Sequence, residues 1–262
     1  MRATFDLLGR VALVTGVGGP RGIGYAVART LSDLGAALVV TASSARVHER
    51  AAELPEGTLA MVGDLTDEAT GAALVAAATT AHGRLDAVVN CAGMTSVSAT
   101  APESGRVETM DLTTWRAALA RNLDAAFLLA RATIPVLAAG DAGRLVMVSS
   151  LTGPVMAMRG EVGYAAAKAG LVGLVRALAV DAASSGVTVN AVAPGWIATD
   201  SQTVAERAEG RRTPLGRSGT PEEVAGLVGY LCTPSAAYVT GQCLVVDGGN
   251  SVAEERACDH AP

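Results

Sequence analysis

Seven short β-branched runs, alternating with longer Ala- and Leu-rich stretches of helical period, constrain the fold of this chain more than any other feature. Runs of three to five residues without polar alternation are strands buried on both faces, and a parallel sheet covered by helices on both sides buries them that way. The strands are predicted at Val11–Thr15, Ala37–Thr41, Thr58–Val62, Ala87–Val89, Arg144–Val148, Thr188–Val192 and Cys243–Val246, with helices near 23–34, 67–82, 113–138, 162–184 and 221–232. Right-handed β-α-β crossovers close this alternation into one doubly wound α/β domain with a seven-stranded parallel sheet. No repeat, linker or low-complexity run divides residues 1–262, so a single domain is expected. Met94–Met110 and Ile197–Gly219 lack the pattern. Each follows a predicted strand and so emerges at the carboxyl edge of the sheet, where ligands bind; 197–219 is expected to be a mobile substrate lid.

The balance of charge narrows the function. Asp and Glu outnumber Lys and Arg by 25 to 20, which opposes a nonspecific nucleic-acid or anionic-membrane binder and points to a small-molecule ligand. Cysteines at 91, 232, 243 and 258 are scattered, with no metal-ligand spacing and no disulfide framework, so a reduced compartment is expected. The first ten residues carry Asp6 and no long apolar core. The richest apolar helical stretch, Leu171 to Val180, is interrupted by Arg176, short of the ~20 residues a bilayer requires. A cytoplasmic protein is the expectation. His48, His82 and His260 share no ligand spacing, and no metal site is expected; Glu161 is expected in a solvated turn.

The first predicted strand runs through Thr15, Gly16, Val17, Gly18, Gly19, Pro20, Arg21, Gly22, Ile23 and Gly24 straight into a helix. Glycines at such a turn let backbone amides approach a phosphate at the positive helix N-terminus, which favours a pyrophosphate. The plain G-x-G-x-x-G spacing is not met, and a tight structural turn uses the same residues. The choice of nucleotide is read at the tip of the second strand, where a carboxylate takes a ribose 2′-hydroxyl and a basic group favours a 2′-phosphate. Here the tip reads Thr41, Ala42, Ser43, Ser44, Ala45, Arg46, without a carboxylate, and Arg21 lies in the glycine loop. NADP is therefore expected ahead of NAD.

Tyr164 and Lys168 stand four apart on a long predicted helix and so share a face. There the ammonium is expected to lower the tyrosine pKa from its reference of about 10, making a tuned acid/base. Alone, such a pair is a common accident of amphipathic helices. What raises it is Ser149 and Ser150 at the carboxyl end of the preceding strand, since a hydroxyl there is placed to hold a substrate oxygen against the tyrosine.

The glycine loop, Asp64 with Leu65, Asn90 through Gly93, Asn122 with Leu123, Ser150, Tyr164 with Lys168, Pro194 through Thr199, and Asp247 through Gly249 occur in the order of one family. From Arg10 to Gly249 the chain resembles the short-chain dehydrogenase/reductase family, of Rossmann-type fold, and within it the 3-oxoacyl-(acyl carrier protein) reductases. The resemblance implies that Tyr164 is the general acid/base, that Lys168 tunes it and bonds the nicotinamide ribose, that Ser150 orients the carbonyl or hydroxyl, and that Asn122 anchors a proton-relay water. It implies cofactor contacts from Gly16, Arg21, Gly22, Ile23, Gly24 and Ser43, from Asp64 and Leu65 near the adenine, from Asn90, Ala92 and Gly93, and from Pro194, Gly195, Ile197 and Thr199, the last two near the carboxamide. It further implies that the helix of Tyr164, rich in small residues, pairs between subunits in a tetramer or dimer.

The glycine loop has two residues more than the usual form and resembles that of enoyl reductases in the same superfamily. Those carry a more widely spaced Tyr and Lys, so enoyl reduction is disfavoured. Cys91 replaces a second Asn and is read as a small packed residue. The expected activity interconverts a ketone and a secondary alcohol by hydride transfer, with 3-oxoacyl thioesters as one substrate class. The competing readings are a catalytically silent NADP(H) sensor and an alcohol dehydrogenase oxidising a cyclic or aromatic alcohol. A sugar-nucleotide epimerase would need more chain than the thirteen residues following Gly249.

Overall fold

Alternate residues of β1 (Val11–Thr15) part to opposite faces of a sheet. Val11 and Leu13 pack in one apolar layer with Leu74, Leu129 and Leu171, while Ala12 and Val14 pack in another with Val27, Leu31, Val224 and Val228. Burial on both faces is what the unbroken apolar runs required. The structure, a computed structural model, describes residues 4–93 and 104–254.

After β1 come α1 (Ile23–Asp33), β2 (Ala37–Ala42), α2 (Arg46–Ala52), β3 (Leu59–Val62), α3 (Glu68–His82) and β4 (Ala87–Asn90). The second half holds α4 (Leu112–Leu119), a π-helical turn (Ala120–Asp124), α5 (Ala125–Ala139), β5 (Arg144–Val148), α6 (Val162–Ala182), β6 (Thr188–Pro194), α7 (Val204–Gly210), α8 (Pro221–Cys232) and β7 (Cys243–Val246). All seven strands are parallel, in the order β3-β2-β1-β4-β5-β6-β7. The chain winds outward from β1 to β3, then returns to β4 on the other side of β1. The carboxyl ends of β1 and β4 therefore flank the crevice where such sheets bind ligands.

Several boundaries differ from expectation for local reasons. Thr58 is excluded from β3 because its hydroxyl donates to the Pro55 carbonyl at 2.8 Å and closes a turn. β6 continues to Pro194, which pairs with Val246 of β7. The predicted helix over 113–138 is broken by the π turn. Residues 197–219, expected to lack regular structure, contain α7, started by a capping box in which Thr203 and Glu206 bond each other's backbone N–H. Ile197 and Gly219 form a bridge that ties the two ends of this segment together.

The helical segments Leu112–Ala139 and Val162–Ser185 have a mean hydropathy of 1.3 and the length to cross a bilayer, which a search for unbroken apolar runs does not register. Here both pack against the sheet, burying Leu129 and Leu137 from the first and Leu171 and Val175 from the second.

Candidate active site

The crevice is pinned by Thr15, the last residue of β1. Its hydroxyl donates to Asn90 Oδ1 at 2.8 Å and accepts the Ala92 N–H at 3.0 Å, joining the tips of β1 and β4. The glycine loop leaves Thr15 through Gly16 at φ +74°, where a methyl group would lie 2.9 Å from the Ala92 nitrogen. At the second residue of α1, a methyl on Gly24 would lie 2.5 Å from the Gly16 carbonyl oxygen, so only glycine lets the loop close on its own helix. Side chains of Asp67, Asp111, Thr203 and Thr220 cap α3, α4, α7 and α8, but Gly22 gives α1 no such cap. The first amides of α1 keep their capacity for an anion. Arg46 approaches the loop from the tip of β2, its Nη2 4.0 Å from a methyl built on Gly18, and Ser43 is exposed nearby. An uncapped helix N-terminus, a close backbone approach and a basic strand tip together fit a phosphorylated dinucleotide.

Beyond β4 the acid/base candidates gather. Lys168 is 1% exposed, and its Nζ donates to the Val148 carbonyl at 3.1 Å and the Gly93 carbonyl at 3.3 Å. Ser149 fixes α6 to β5 by donating to the Lys168 carbonyl at 3.0 Å. Burial pulls the Lys168 ammonium down to about 8. Tyr164 departs from expectation. Burial, the dominant cause, pushes its phenol up, a hydrogen bond with Ser150 opposes that, and the carboxylates of Glu161 and Glu206 add to the rise. Lys168 does not lower it because the ammonium is engaged by two carbonyls and stands 5.6 Å from the centre of the tyrosine ring. The phenol is thus held protonated.

Asn122 lies in the π turn, 2% exposed. Its Nδ2 donates to the Ala118 carbonyl at 3.1 Å, while Oδ1 is buried without a protein partner. Such an acceptor costs about 1–3 kcal/mol unless something donates to it. A methyl on Gly93 would stand 3.0 Å from this oxygen and 3.4 Å from Lys168 Nζ, so both converge on one glycine at the end of β4. The π turn aims Asn122 inward, a common use of this strained geometry.

A family model described as enoyl-(acyl carrier protein) reductase matches residues 16–251. The chain is 37% identical over 250 residues to the 3-oxoacyl-[acyl-carrier-protein] reductase FabG of Vibrio cholerae, covering 93% of this chain and 98% of that one. The chain belongs to the short-chain dehydrogenase/reductase family. It is also 33% identical over 265 residues to the oxidoreductase UcpA of Escherichia coli O157:H7, covering 95% and 97% of the two chains. Its backbone matches a crystal structure of a dehydrogenase/reductase from Sinorhizobium meliloti 1021 with a TM-score of 0.84, at 32% identity over 95% of this chain and 98% of that one. This short-chain dehydrogenase/reductase is accordingly an oxidoreductase.

Other predicted positions of the oxidoreductase lie around the same edge. Pro194 ends β6, and a methyl on Gly195 would lie 2.8 Å from Asp247 Cβ, so the Asp247–Gly249 turn backs this segment. Ile197 is buried beside α1 and α8, and the Thr199 hydroxyl shares a hydrogen bond with Ser201 at 3.0 Å. Asp64 holds the N–H and hydroxyl of Thr66 at 2.9 and 2.8 Å, which keeps its carboxyl low, and Leu65 is buried behind it. Cys91 is half-buried, its thiol pushed up by burial. Glu161 is not in a solvated turn: half-buried, it accepts the Ser104 hydroxyl at 2.7 Å. His82 ends α3 and His48 is exposed on α2, while Cys258, His260 and 94–103 of the substrate-facing loop lie outside the described residues.

Three contributors carry no clear signal in the sequence. Thr15 braces the crevice, the π turn places Asn122, and Asp200 accepts the Arg21 N–H at 2.9 Å while its other oxygen stands 4.0 Å from Arg21 Nε. Asp200 follows Thr199 directly, which is the one signal by which it was findable.

Proposed function

We propose that this reductase is an NADP(H)-dependent carbonyl reductase interconverting a ketone and a secondary alcohol, with 3-oxoacyl thioesters as its substrate class. The carrying observation is the meeting of Ser150, protonated Tyr164 and Lys168 with the unpartnered Oδ1 of Asn122. The glycine loop and α1 amides would hold the pyrophosphate, Ser43, Arg46 and Arg21 the 2′-phosphate, and Lys168 the nicotinamide ribose. Asp64, Leu65, Asn90, Ala92 and Gly93 would line the cofactor, with Pro194, Gly195, Ile197 and Thr199 toward the carboxamide. Bound NADPH would supply the hydride.

The residues of the chain do the rest. Ser150 holds the carbonyl oxygen, and Tyr164 gives that oxygen its proton, a task that needs the protonated phenol burial enforces. Lys168 and a water on Asn122 Oδ1 return a proton to the tyrosine. The thioester class is supported by the name of the Vibrio cholerae relative, and carbonyl over enoyl chemistry by the four-residue spacing of Tyr164 and Lys168. Following NADPH oxidation with an acetoacetyl thioester and with a crotonyl thioester tests the reading: turnover of the first alone is expected, and turnover of the second alone overturns it.

The same reading includes self-association through α4–α5 and α6. Their outer faces expose Leu112, Phe127 and Val180 at 58, 46 and 77%, and nothing lies within 4 Å of a methyl built on Gly173, which leaves room for a second helix. Sedimentation is expected to give a dimer or tetramer, and Phe127→Glu a smaller species.

A further inference from the structure

Arg207, in the last turn of α7, and Arg211, the residue that follows the helix, line a cavity of about 380 Å³ whose other walls include Arg21, Thr199, Gln202 and Arg217. Two of the four guanidinium groups are matched by carboxylates: Arg217 by both oxygens of Glu223 at 2.6 and 2.8 Å, Arg21 by Asp200. Among the described residues, no carboxylate lies within 4.0 Å of Arg207 or Arg211. The glutamates of α7 are engaged elsewhere, Glu206 on the Thr203 N–H at 2.7 Å and Glu209 on Arg212 at 2.9 Å. Two unmatched guanidinium groups at the carboxyl end of α7, facing one cavity, offer paired donors to an anion from outside the chain.

We infer that Arg207 and Arg211 form a subsite for a phosphate ester on the tail of the carbonyl substrate, held at α7 while the carbonyl reaches Tyr164. The inference rests on the carbonyl-reductase reading for the identity of the substrate. A phosphate ester is also part of the cofactor, and Arg21 and Thr199 of the same cavity face both ligands; the cofactor's own phosphates have seats at the uncapped α1 and the tip of β2, so the subsite is tested with the cofactor already bound. The Glu206 carboxylate, next to Arg207, acts on the Tyr164 phenol, which places α7 within electrostatic reach of the reacting oxygen.

The test is calorimetric titration of the NADP+-saturated protein with coenzyme A, a soluble phosphate ester of the tail's chemistry, at low and moderate salt. Coenzyme A is expected to bind more weakly as salt rises, and Arg207→Gln/Arg211→Gln to raise its Kd about tenfold and flatten that salt dependence. The ratio of KM for acetoacetyl-coenzyme A to KM for the phosphate-free acetoacetyl-N-acetylcysteamine thioester should rise about tenfold in the same variant. Both arginines lie at the surface, so a thermal melt suffices to show the variant folded. Equal coenzyme A binding by variant and parent overturns the subsite. Weakened NADP+ binding with coenzyme A binding preserved assigns the arginines to the cofactor and overturns it too. If coenzyme A binding depends on the arginines but no ketone is reduced, the subsite stands and the carbonyl-reductase reading fails.

Discussion

The Lys168 ammonium stands 5.6 Å from the centre of the Tyr164 ring and donates to the carbonyls of Val148 and Gly93. One helical turn separates the two residues, yet the pair is not a phenolate beside an ammonium. Burial acts on both groups in the same sense, toward the neutral form, raising the phenol and lowering the amine. The phenol's shift bears on catalysis and the amine's on stability.

Tyr164→Phe removes the proton donor while leaving the ring packed over Lys168. Its kcat with a ketone is expected to fall about 10²–10⁴-fold, the range for a positioned acid, while NADPH affinity by fluorescence titration stays within about twofold. Ser150→Ala should lower kcat with the same preserved affinity. A Tyr164→Phe enzyme retaining a substantial share of kcat would refute the assignment.

Lys168 makes stability depend on pH with a definite sign. Its folded pKa of about 8 lies below the ordinary lysine value of 10.5, so between these values the unfolded chain binds the extra proton and stability rises with pH. The penalty, on the order of 3 kcal/mol, is fully present below pH 8 and relieved toward pH 10.5. Urea unfolding near pH 7.5 and near pH 10 should show the parent gaining on Lys168→Met over that interval. A gap unchanged by pH would show that the lysine is not titrating in the fold.

Gly24→Ala sets helix propensity against sterics. Alanine favours an exposed helix interior by about 1 kcal/mol, but here its methyl meets the Gly16 carbonyl oxygen at 2.5 Å. The clash should win, with net destabilisation on the order of 1–3 kcal/mol in chemical denaturation and a weakened Kd for NADPH.

Arg21→Ala and Arg46→Ala should each weaken NADPH roughly five- to tenfold and NADH less than twofold, the loss of one exposed charged contact to a 2′-phosphate. Titration with both reduced cofactors decides this, and tighter NADH binding by the parent would refute the nucleotide assignment.

Residues 197–219 are proposed to close over the ligands as a hinged helix, since backbone hydrogen bonds Ala198 to Gly219 at 2.8 Å and Gly219 to Trp196 at 2.9 Å hold both ends of the segment. Trypsin should cut at Arg207, Arg211 or Arg212 in the free protein, faster in Thr203→Ala, whose capping box is lost, and more slowly with NADPH and substrate bound. Equal cutting with and without ligands would show that the segment does not close.

The alternation of strands and helices, the glycine turn and the Ser150, Tyr164, Lys168 set were legible in the sequence because each is local. Unbroken β-branched runs against a 3.6-residue period, a glycine requirement and a four-residue helical spacing are properties of a few neighbouring residues. Small helices were not legible from apolar periodicity: α7 rests on the Thr203–Glu206 capping box rather than on an apolar stripe. What tertiary structure alone decided are the terms that depend on distant neighbours. The sign of the Tyr164 shift follows from how deeply the sheet and α6 bury the phenol. The empty acceptor of Asn122 follows from a π turn that brings it to Gly93. Asp200 meets Arg21 across 179 residues of chain, and Thr15 reaches Asn90 across 75, because a parallel sheet returns every strand to the same edge.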